Sequence, residues 1–160
     1  MTKVLFVCLG NICRSPMAEA IFNHKIERLG LSQQIVSDSC GTANYHVDDG
    51  PDHRSLKVLK QNGVVTNHLG RQFQVSDFQT FDYILAMDKQ NLKDILKLAK
   101  SAQDRNKVLL MRDFDTENVM EDVPDPYYGD FQGFVKVYEI LERSIDQFIS
   151  SKVSISGDQN

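Results

Sequence analysis

The hydrophobic positions of this chain change their period repeatedly, which predicts strands that alternate with helices. Short apolar runs typical of buried strands occupy residues 4–7, 35–37, 83–87 and 107–111. Helical spacing of apolar residues follows the first run, from Pro16 to Leu29, and Gly30 provides a stop signal. Each of the first three strands is thus followed by a segment that can form one or more helices.

Capping residues mark where the later helices begin. Asp52 precedes a helical segment that ends at Asn62-Gly63, and Asp88 precedes a helix that carries apolar residues as far as Ala99. A short helix is expected near Ser76. We therefore interpret Asp52 and Asp88 first as helix caps, with any effect on catalysis secondary.

A long amphipathic helix is predicted near the C-terminus, because apolar residues there recur with a period of about 3.6. Its apolar stripe consists of Phe131, Phe134, Val135, Tyr138, Leu141, Ile145, Phe148 and Ile149. From Ser150 onward the sequence is polar, and we expect it to fray. The predicted organisation is one domain over residues 1–151 and a polar tail over residues 152–160.

The alternation of strands and helices predicts an α/β fold, with a parallel sheet covered by helices on both faces. In such sheets ligands bind beyond the carboxyl ends of the strands. Cys8 follows the first strand and therefore lies where a ligand is expected.

Composition excludes some classes of function but does not identify one. The chain has 160 residues, 41% of them hydrophobic, which suits one ordinary domain with a core. Its net charge of −4 offers no general attraction to nucleic acid or to an anionic membrane. No apolar run approaches the roughly 20 residues that cross a bilayer, and no secretory signal precedes the first strand. Three cysteines make no disulfide framework, so we expect a cytoplasmic protein.

The most informative segment is Cys8-Leu9-Gly10-Asn11-Ile12-Cys13-Arg14-Ser15, between the first strand and the helix that begins near Pro16. The N–H groups at a helix N-terminus lack internal partners and attract an oxyanion, and the loop adds further donors. Arg14 can place two charged donors on the same phosphate group. The same donors favour the thiolate form of Cys8, which is the nucleophilic form. The segment predicts a phosphate site that also activates its cysteine.

Three residues of this loop have predicted structural roles. Ser15 suits the N-cap position, because Pro16 would then occupy the first helical position, and its hydroxyl could also donate to the thiolate. Asn11 and Gly10 are residue types that tolerate a positive φ. Taken without its context, a cysteine and an arginine six positions apart fit a purely structural role, with a buried thiol and an ordinary helix cap, as well as they fit a phosphate site.

A second motif lies far downstream, at Asp125-Pro126-Tyr127-Tyr128-Gly129. The first motif, in the segment from Val4 to Ala20, resembles the signature of the low-molecular-weight protein tyrosine phosphatases, and the second resembles the site of that family's general acid.

This resemblance implies a three-layer Rossmann-like fold with a four-stranded parallel sheet. It also implies hydrolysis of phosphotyrosine and small aryl phosphates through a phosphocysteine on Cys8, with Arg14 binding phosphate and Asp125 protonating the leaving group. Because the acid must be protonated while the thiol is ionised, activity should follow a bell-shaped pH profile.

The resemblance extends to residues around the loop and the cleft. It implies that Ser39 and His68 support the phosphate loop by holding Asn11. It places Tyr45 and His46 on one rim of the substrate cleft and Tyr127 and Tyr128 on the other. His46 is a departure at this variable rim position that we do not interpret. It also implies a reversible disulfide between Cys8 and Cys13, for which simple packing of Cys13 is an equal alternative. Cys40 is interpreted as a packed thiol.

Two other functions fit parts of the sequence. Thiol-coupled arsenate reductases share the fold and the loop, but they need relay cysteines, and Tyr83 to Val108 contains none. A non-catalytic phosphate-binding module would be expected to lose Cys8 or Asp125. We expect no metal or organic cofactor, because Arg14 and the loop amides supply the positive charge. The expected partners are a tyrosine-phosphorylated protein or a small aryl phosphate, with inorganic phosphate as product, and the protein as a monomer or weak dimer.

Overall fold

A computed structural model describes residues 1–153 and is built around a four-stranded parallel sheet. The strands are β1 (Thr2–Cys8), β2 (Ile35–Gly41), β3 (Tyr83–Ala86) and β4 (Val108–Leu110), and their order across the sheet is β2-β1-β3-β4. All three neighbouring pairs are parallel. The predicted α/β architecture is confirmed.

Across residues 1–153, six α-helices and one 3₁₀-helix connect and cover the strands. They are α1 (Arg14–Arg28), α2 (His53–Gln61), α3 (Asp77–Thr80), α4 (Lys89–Leu96), α5 (Ala102–Asn106), the 3₁₀-helix Met111–Phe114, and α6 (Phe131–Lys152). The sequence analysis missed α5, a single short turn capped by Ser101, whose hydroxyl accepts a hydrogen bond from the Asp104 N–H at 3.0 Å. The predicted fourth strand, residues 107–111, was one residue too long at each end, and at its C-terminal end the chain turns into the 3₁₀-helix at Met111.

The core consists of two hydrophobic clusters on opposite faces of the sheet. Successive residues of a strand point to opposite faces, so Val4 and Phe6 of β1 contribute to one cluster, and Leu5 and Val7 to the other. The larger cluster contains the apolar faces of α1 and α6. Cys40 is fully buried in the smaller cluster, as predicted.

The position of β1 locates the ligand crevice. Its neighbours are β2 on one side and β3 on the other, so the chain leaves β1 for one edge of the sheet and later crosses to the opposite edge. Ligands bind where the strand order reverses in this way, beyond the carboxyl ends of the strands. Cys8 is the last residue of β1 and lies at this point.

The C-terminal helix is longer than predicted. Helix α6 includes residues 150–152, which were expected to fray, and Val153 is buried at 5% exposure. The Tyr83 hydroxyl also donates to the Lys152 carbonyl at 3.3 Å. Packing of these last residues therefore overrides their polar composition, while residues 154–160 of the predicted tail lie outside the described part of the chain. Among residues 1–153, no helix combines the length and the apolar character needed to cross a membrane.

Candidate active site

The phosphate loop, residues 8–15, curls around the Cys8 thiol at the end of β1. The thiol is 2% exposed. Its Sγ accepts a hydrogen bond from the Asn11 N–H at 3.3 Å and lies 3.0 Å from the Ser15 hydroxyl. Within residues 1–153, the N–H groups of Gly10, Ile12 and Cys13 donate to no protein acceptor. These donors are free to bind an oxyanion in front of the sulfur.

Asn11 holds the loop in this shape from behind. Its φ is +58°, as the sequence predicted, and the residue is 1% exposed. The side-chain amide donates to the Ser15 and Ser39 hydroxyls at 2.8 and 3.0 Å. Its oxygen accepts from His68 Nε2 at 2.7 Å and from the Arg71 N–H at 3.1 Å. All four hydrogen-bonding positions of the amide are therefore used, in the arrangement expected for Ser39 and His68.

One expectation for the loop was wrong. Helix α1 begins at Arg14, and its N-cap position is Cys13, which makes no side-chain capping bond. The Ser15 hydroxyl instead interacts with Cys8 Sγ and the Asn11 amide, because it lies one residue inside the helix. Gly10 does not adopt a positive φ. A Cβ there would lie 3.3 Å from the His46 ring, a tight contact that the ring could relieve only by shifting a few tenths of an ångström.

Arg14 is held at the entrance of the loop by acceptors from other parts of the chain. The residue is 3% exposed, and Nη1 donates to Asp88 at 2.7 Å and to the Val123 carbonyl at 3.1 Å. Burial alone would lower the pKa of Arg14, but the Cys8 thiolate and Asp88 raise it. Asp88 therefore has two roles: it caps α4 through the Asn91 N–H at 2.7 Å, and it orients the arginine.

An open cavity of about 270 Å³ lies above Cys8. Its walls are formed by the phosphate loop and by the predicted rim residues: Cys8, Leu9, Gly10, Ile12, Cys13, Arg14, Tyr45, His46, Asp125, Tyr127 and Tyr128. Tyr45 is 71% exposed and Tyr128 is 92% exposed. The Tyr127 and Tyr128 rings pack edge to face with centroids 4.9 Å apart. The structure thus brings together the two distant motifs and the intervening rim residues around one thiol.

Asp125 stands at the mouth of this cavity. Its Oδ1 accepts a hydrogen bond from the Tyr127 N–H at 3.1 Å, and its Oδ2 lies 3.8 Å from Arg14 Nη2. The side chain is 41% exposed. This carboxyl group therefore faces both the Arg14 guanidinium and solvent.

Comparison with known proteins agrees with this geometry. The family model for "Low molecular weight phosphotyrosine protein phosphatase" matches residues 3–157. The chain belongs to this family. The Schizosaccharomyces pombe low molecular weight phosphotyrosine protein phosphatase is 48% identical over 155 residues, which cover 94% of this chain and 99% of the relative. The human protein of the same name is 38% identical over 148 residues, which cover 92% of this chain and 93% of the human protein.

Solved structures of the family have the same fold. The crystal structure of a protein tyrosine phosphatase from Entamoeba histolytica, with Hepes in the active site, matches with a TM-score of 0.90 and 42% identity, covering 94% of this chain and 96% of that one. The crystal structure of the Drosophila arginine phosphatase matches with a TM-score of 0.89 and 38% identity, covering 96% of this chain and 99% of that one. The fold predicted from the resemblance to the phosphatase family is therefore confirmed.

Cys13 lies in the same cleft as Cys8, and its thiol ionises less readily than that of an ordinary cysteine. It is 5% exposed, and burial, followed by the negative charges of Asp52 and Cys8, raises the pKa of its thiol to about 12. Both thiols are free. The disulfide that the phosphatase family suggests for this pair stays a prediction.

Behind the phosphate loop, His68 joins a group of acidic side chains that the sequence analysis did not include. His68 Nδ1 lies 3.2 Å from Glu19 Oε1 and 3.7 Å from Asp38 Oδ1. In residues 1–153, these three side chains are the group of potential metal ligands whose donor atoms lie within 4.8 Å of one another. Because His68 also bonds Asn11, and Arg71 binds Asp38 at 2.8 Å, we interpret the cluster as an ion-pair network that supports the phosphatase loop.

Two further contacts in this phosphatase site were absent from the sequence predictions. His46 Nδ1 contacts Asp49 at 3.1 Å, which fixes the orientation of the imidazole ring on the cleft rim. Arg54, in the first turn of α2, reaches the loop that carries Asp125. Arg54 follows the capping residue Asp52 by two positions, but the sequence carries no signal that its side chain folds toward a segment more than 70 residues away.

Proposed function

We propose that the chain hydrolyses phosphotyrosine through a covalent phosphocysteine on Cys8. In the first step the thiolate attacks phosphorus, an S–P bond forms, and the bond from phosphorus to the tyrosine oxygen breaks. Asp125 gives its carboxyl proton to that oxygen, so tyrosine leaves as a neutral phenol. The free N–H groups of the loop and Arg14 stabilise the charge on the three other phosphate oxygens.

In the second step water attacks phosphorus and the S–P bond breaks. Asp125, now a carboxylate, accepts a proton from the water, and the electron pair of the broken bond returns to sulfur as thiolate. Inorganic phosphate leaves, and both groups regain their starting charges. No metal is needed for this cycle, since Arg14 and the loop provide the positive charge.

The observation that supports this proposal best is the convergence of three groups with complementary chemistry. A nearly buried thiol accepts a hydrogen bond from the loop at 3.3 Å, the same loop carries unpaired N–H donors, and a carboxyl group lies 3.8 Å from the arginine that would bind phosphate. A binding module would need the donors alone. The additional nucleophile and proton donor favour catalysis.

The shape of the cleft supports an aryl phosphate as substrate. Tyr45 and the Tyr127–Tyr128 pair form aromatic walls above a thiol that is 2% exposed, so a ring between them can place its phosphate on the loop. A shorter phosphoserine side chain would reach Cys8 less well. Tyrosine-phosphorylated proteins and small aryl phosphates both fit.

The tyrosine pair also offers a surface for weak self-association, and three free thiols suit a reducing, cytoplasmic location.

The test is hydrolysis of p-nitrophenyl phosphate in EDTA at about pH 5.5, with wild type compared to Cys8→Ser and Asp125→Asn. Wild type should turn over and Cys8→Ser should be inactive. The Asp125→Asn variant should be slow and should lose the fall in activity at high pH, because deprotonation of the acid causes that fall. An inactive wild type would contradict the proposal, and arsenite release from arsenate with thioredoxin would then be assayed.

A further inference from the structure

Arg54 occupies an unfavourable position for a cation unless it has a specific partner. It is the second residue of α2, and the N-terminus of a helix repels positive charge. The guanidinium folds back onto Asp52, the N-cap of α2, with Nε 3.0 Å from Oδ1 and Nη2 2.9 Å from Oδ2. These hydrogen bonds hold the pKa of Asp52 below its usual value. The two-point pairing fixes the plane of the guanidinium and leaves Nη1 for another acceptor.

The start of α2 is itself fastened to the phosphate loop. The Asp52 N–H donates to the Ile12 carbonyl at 2.8 Å, and the Ser55 hydroxyl donates to the Cys13 carbonyl at 3.3 Å. Arg54 is therefore attached, through Asp52, to the segment that surrounds Cys8.

The remaining contacts of Arg54 are with the loop that carries Asp125. Nη1 donates to the Tyr127 carbonyl at 3.1 Å, and the guanidinium carbon lies 5.5 Å from the Tyr127 ring centroid and 4.4 Å from that of Phe134, in the first turns of α6. The Tyr127 N–H in turn holds Asp125 Oδ1 at 3.1 Å. One guanidinium thus connects the phosphate loop to residues 124–129, the loop that carries Asp125, which we call the acid loop.

Few other contacts fix this loop. Within residues 1–153, the hydrogen bonds of residues 124–129 other than that of Arg54 are internal: Tyr127 N–H to Asp125, and Gly129 N–H to the Pro126 carbonyl at 3.2 Å. Asp125 and Tyr127 are each 41% exposed. Pro126 is buried and Asp125 Oδ2 lies 3.8 Å from Arg14 Nη2, but within residues 1–153 the hydrogen bond that residues 124–129 receive from another segment comes from Arg54. Removal of that bond should therefore let the Tyr127 backbone shift, and Asp125 with it.

We infer that Arg54 is a positioning residue for the general acid: it sets the distance from Asp125 to the leaving oxygen by tying the Tyr127 backbone to the phosphate loop. This inference rests on the proposed function, in which Asp125 protonates the leaving phenolate. Misplacement of a catalytic group by about 1 Å can cost on the order of 100-fold in rate. The loss should depend on how much the leaving group needs a proton.

The experiment measures kcat/KM for a series of aryl phosphates, from electron-poor phenols to phosphotyrosine. This parameter reports the step that forms the phosphocysteine. We expect Arg54→Gln to lose roughly 10- to 100-fold with phosphotyrosine, whose phenol has a pKa of about 10, and less than about threefold with the most acidic phenol. In an Asp125→Asn background, Arg54→Gln should add less than about twofold, since the group that it positions is gone.

Lys57→Gln is the matched control. Lys57 lies one turn further along α2, and its ammonium sits 4.5 Å from the Phe131 ring centroid, so it bridges the same two helices without contacting residues 124–129. It should leave the leaving-group dependence unchanged. Arg54→Lys, which keeps the charge but not the two-point pairing, should give an intermediate dependence and serves if Arg54→Gln does not fold.

The outcomes separate the inference from the proposed function. Suppose that Asp125→Asn shows a steep dependence of kcat/KM on the leaving group, but Arg54→Gln shows an equal loss for every phenol or a change in KM alone. Arg54 would then affect binding or stability, and the inference would be overturned. If Asp125→Asn shows no steeper dependence than wild type, the acid role of Asp125 fails and the inference fails with it. If Cys8→Ser is as active as wild type, the proposed mechanism itself is wrong.

Discussion

Replacing Asn11 separates two contributions to the stability of the phosphate loop. The residue has a φ of +58° and makes four side-chain hydrogen bonds, to Ser15, Ser39, His68 and the Arg71 N–H. Asn11→Ala and Asn11→Gly remove the same four bonds. They differ in the backbone, because alanine resists the left-handed region and glycine does not.

The two contributions have different magnitudes. A buried hydrogen bond contributes about 1 kcal/mol, so each variant should lose about 4 kcal/mol of unfolding free energy, out of the roughly 5–15 kcal/mol typical of a domain. The left-handed conformation costs an alanine about 1–2 kcal/mol. Glycine avoids that cost but loses about 0.5–1 kcal/mol through its more flexible unfolded state. Asn11→Gly should therefore be more stable than Asn11→Ala by about 0.5–1 kcal/mol.

Urea unfolding followed by far-ultraviolet circular dichroism measures both quantities, since the chain has no tryptophan to serve as a fluorescent probe. Asn67 provides the control: it is exposed and has no positive φ, so glycine there should be no more stable than alanine. If both Asn11 variants lose less than about 1 kcal/mol, the hydrogen-bond argument is wrong. If alanine is as stable as glycine at position 11, the backbone argument is wrong.

Three further predictions concern charge and thiol chemistry. Burial would raise the pKa of Asp115, but hydrogen bonds from Arg143, the Glu117 N–H and Arg112 hold it well below its ordinary value. The ionised carboxylate therefore stabilises the wild-type fold at neutral pH, and this stabilisation is lost as the pH falls below about 4. Asp115→Asn should lack it, which urea unfolding at a series of pH values will show. Because the pKa of Cys13 is raised to about 12 and that of the buried Cys40 is also raised, iodoacetate at neutral pH should modify Cys8 alone, and phosphate should protect it, as peptide mass spectrometry can test. If Cys13 forms a protective disulfide with Cys8, peroxide inactivation of Cys13→Ala should be less reversible by thiol than that of wild type; equal recovery would leave Cys13 as a packing residue.

The errors in the sequence predictions share one cause. The position of Ser15 before a proline suggested an N-cap, since that pattern is local. In the folded chain the hydroxyl instead bonds Cys8 and Asn11, because the loop closes on itself and α1 begins two residues earlier, at Arg14. Residues 150–152 were expected to fray from their polarity, but packing of Val153 and the contact with Tyr83 extend α6. Short-range patterns give no information about such long-range contacts.

Glu19, Arg54 and Asp88 illustrate the same limit at the active site. Each is an ordinary charged residue at a helix position, and the sequence supported at most a capping role, for Asp88. Their partners, His68, Tyr127 and Arg14, lie between 49 and 74 positions away along the chain. Which cation meets which anion depends on how the helices pack on the sheet, and charge alone does not specify that.

The sequence by itself determined the parallel α/β architecture, the place of Cys8, our predicted nucleophile, in a loop between a strand and a helix, and the suitability of Asn11 for a positive φ. These features follow from hydrophobic period, from residue types that tolerate few conformations, and from a motif confined to a single strand–loop–helix segment. Only the tertiary structure decided which side chains orient that motif. It places Asp88 against Arg14 and Glu19 against His68, and it connects Arg54 to the acid loop, because these contacts form between elements that are distant in sequence and meet at the carboxyl end of β1.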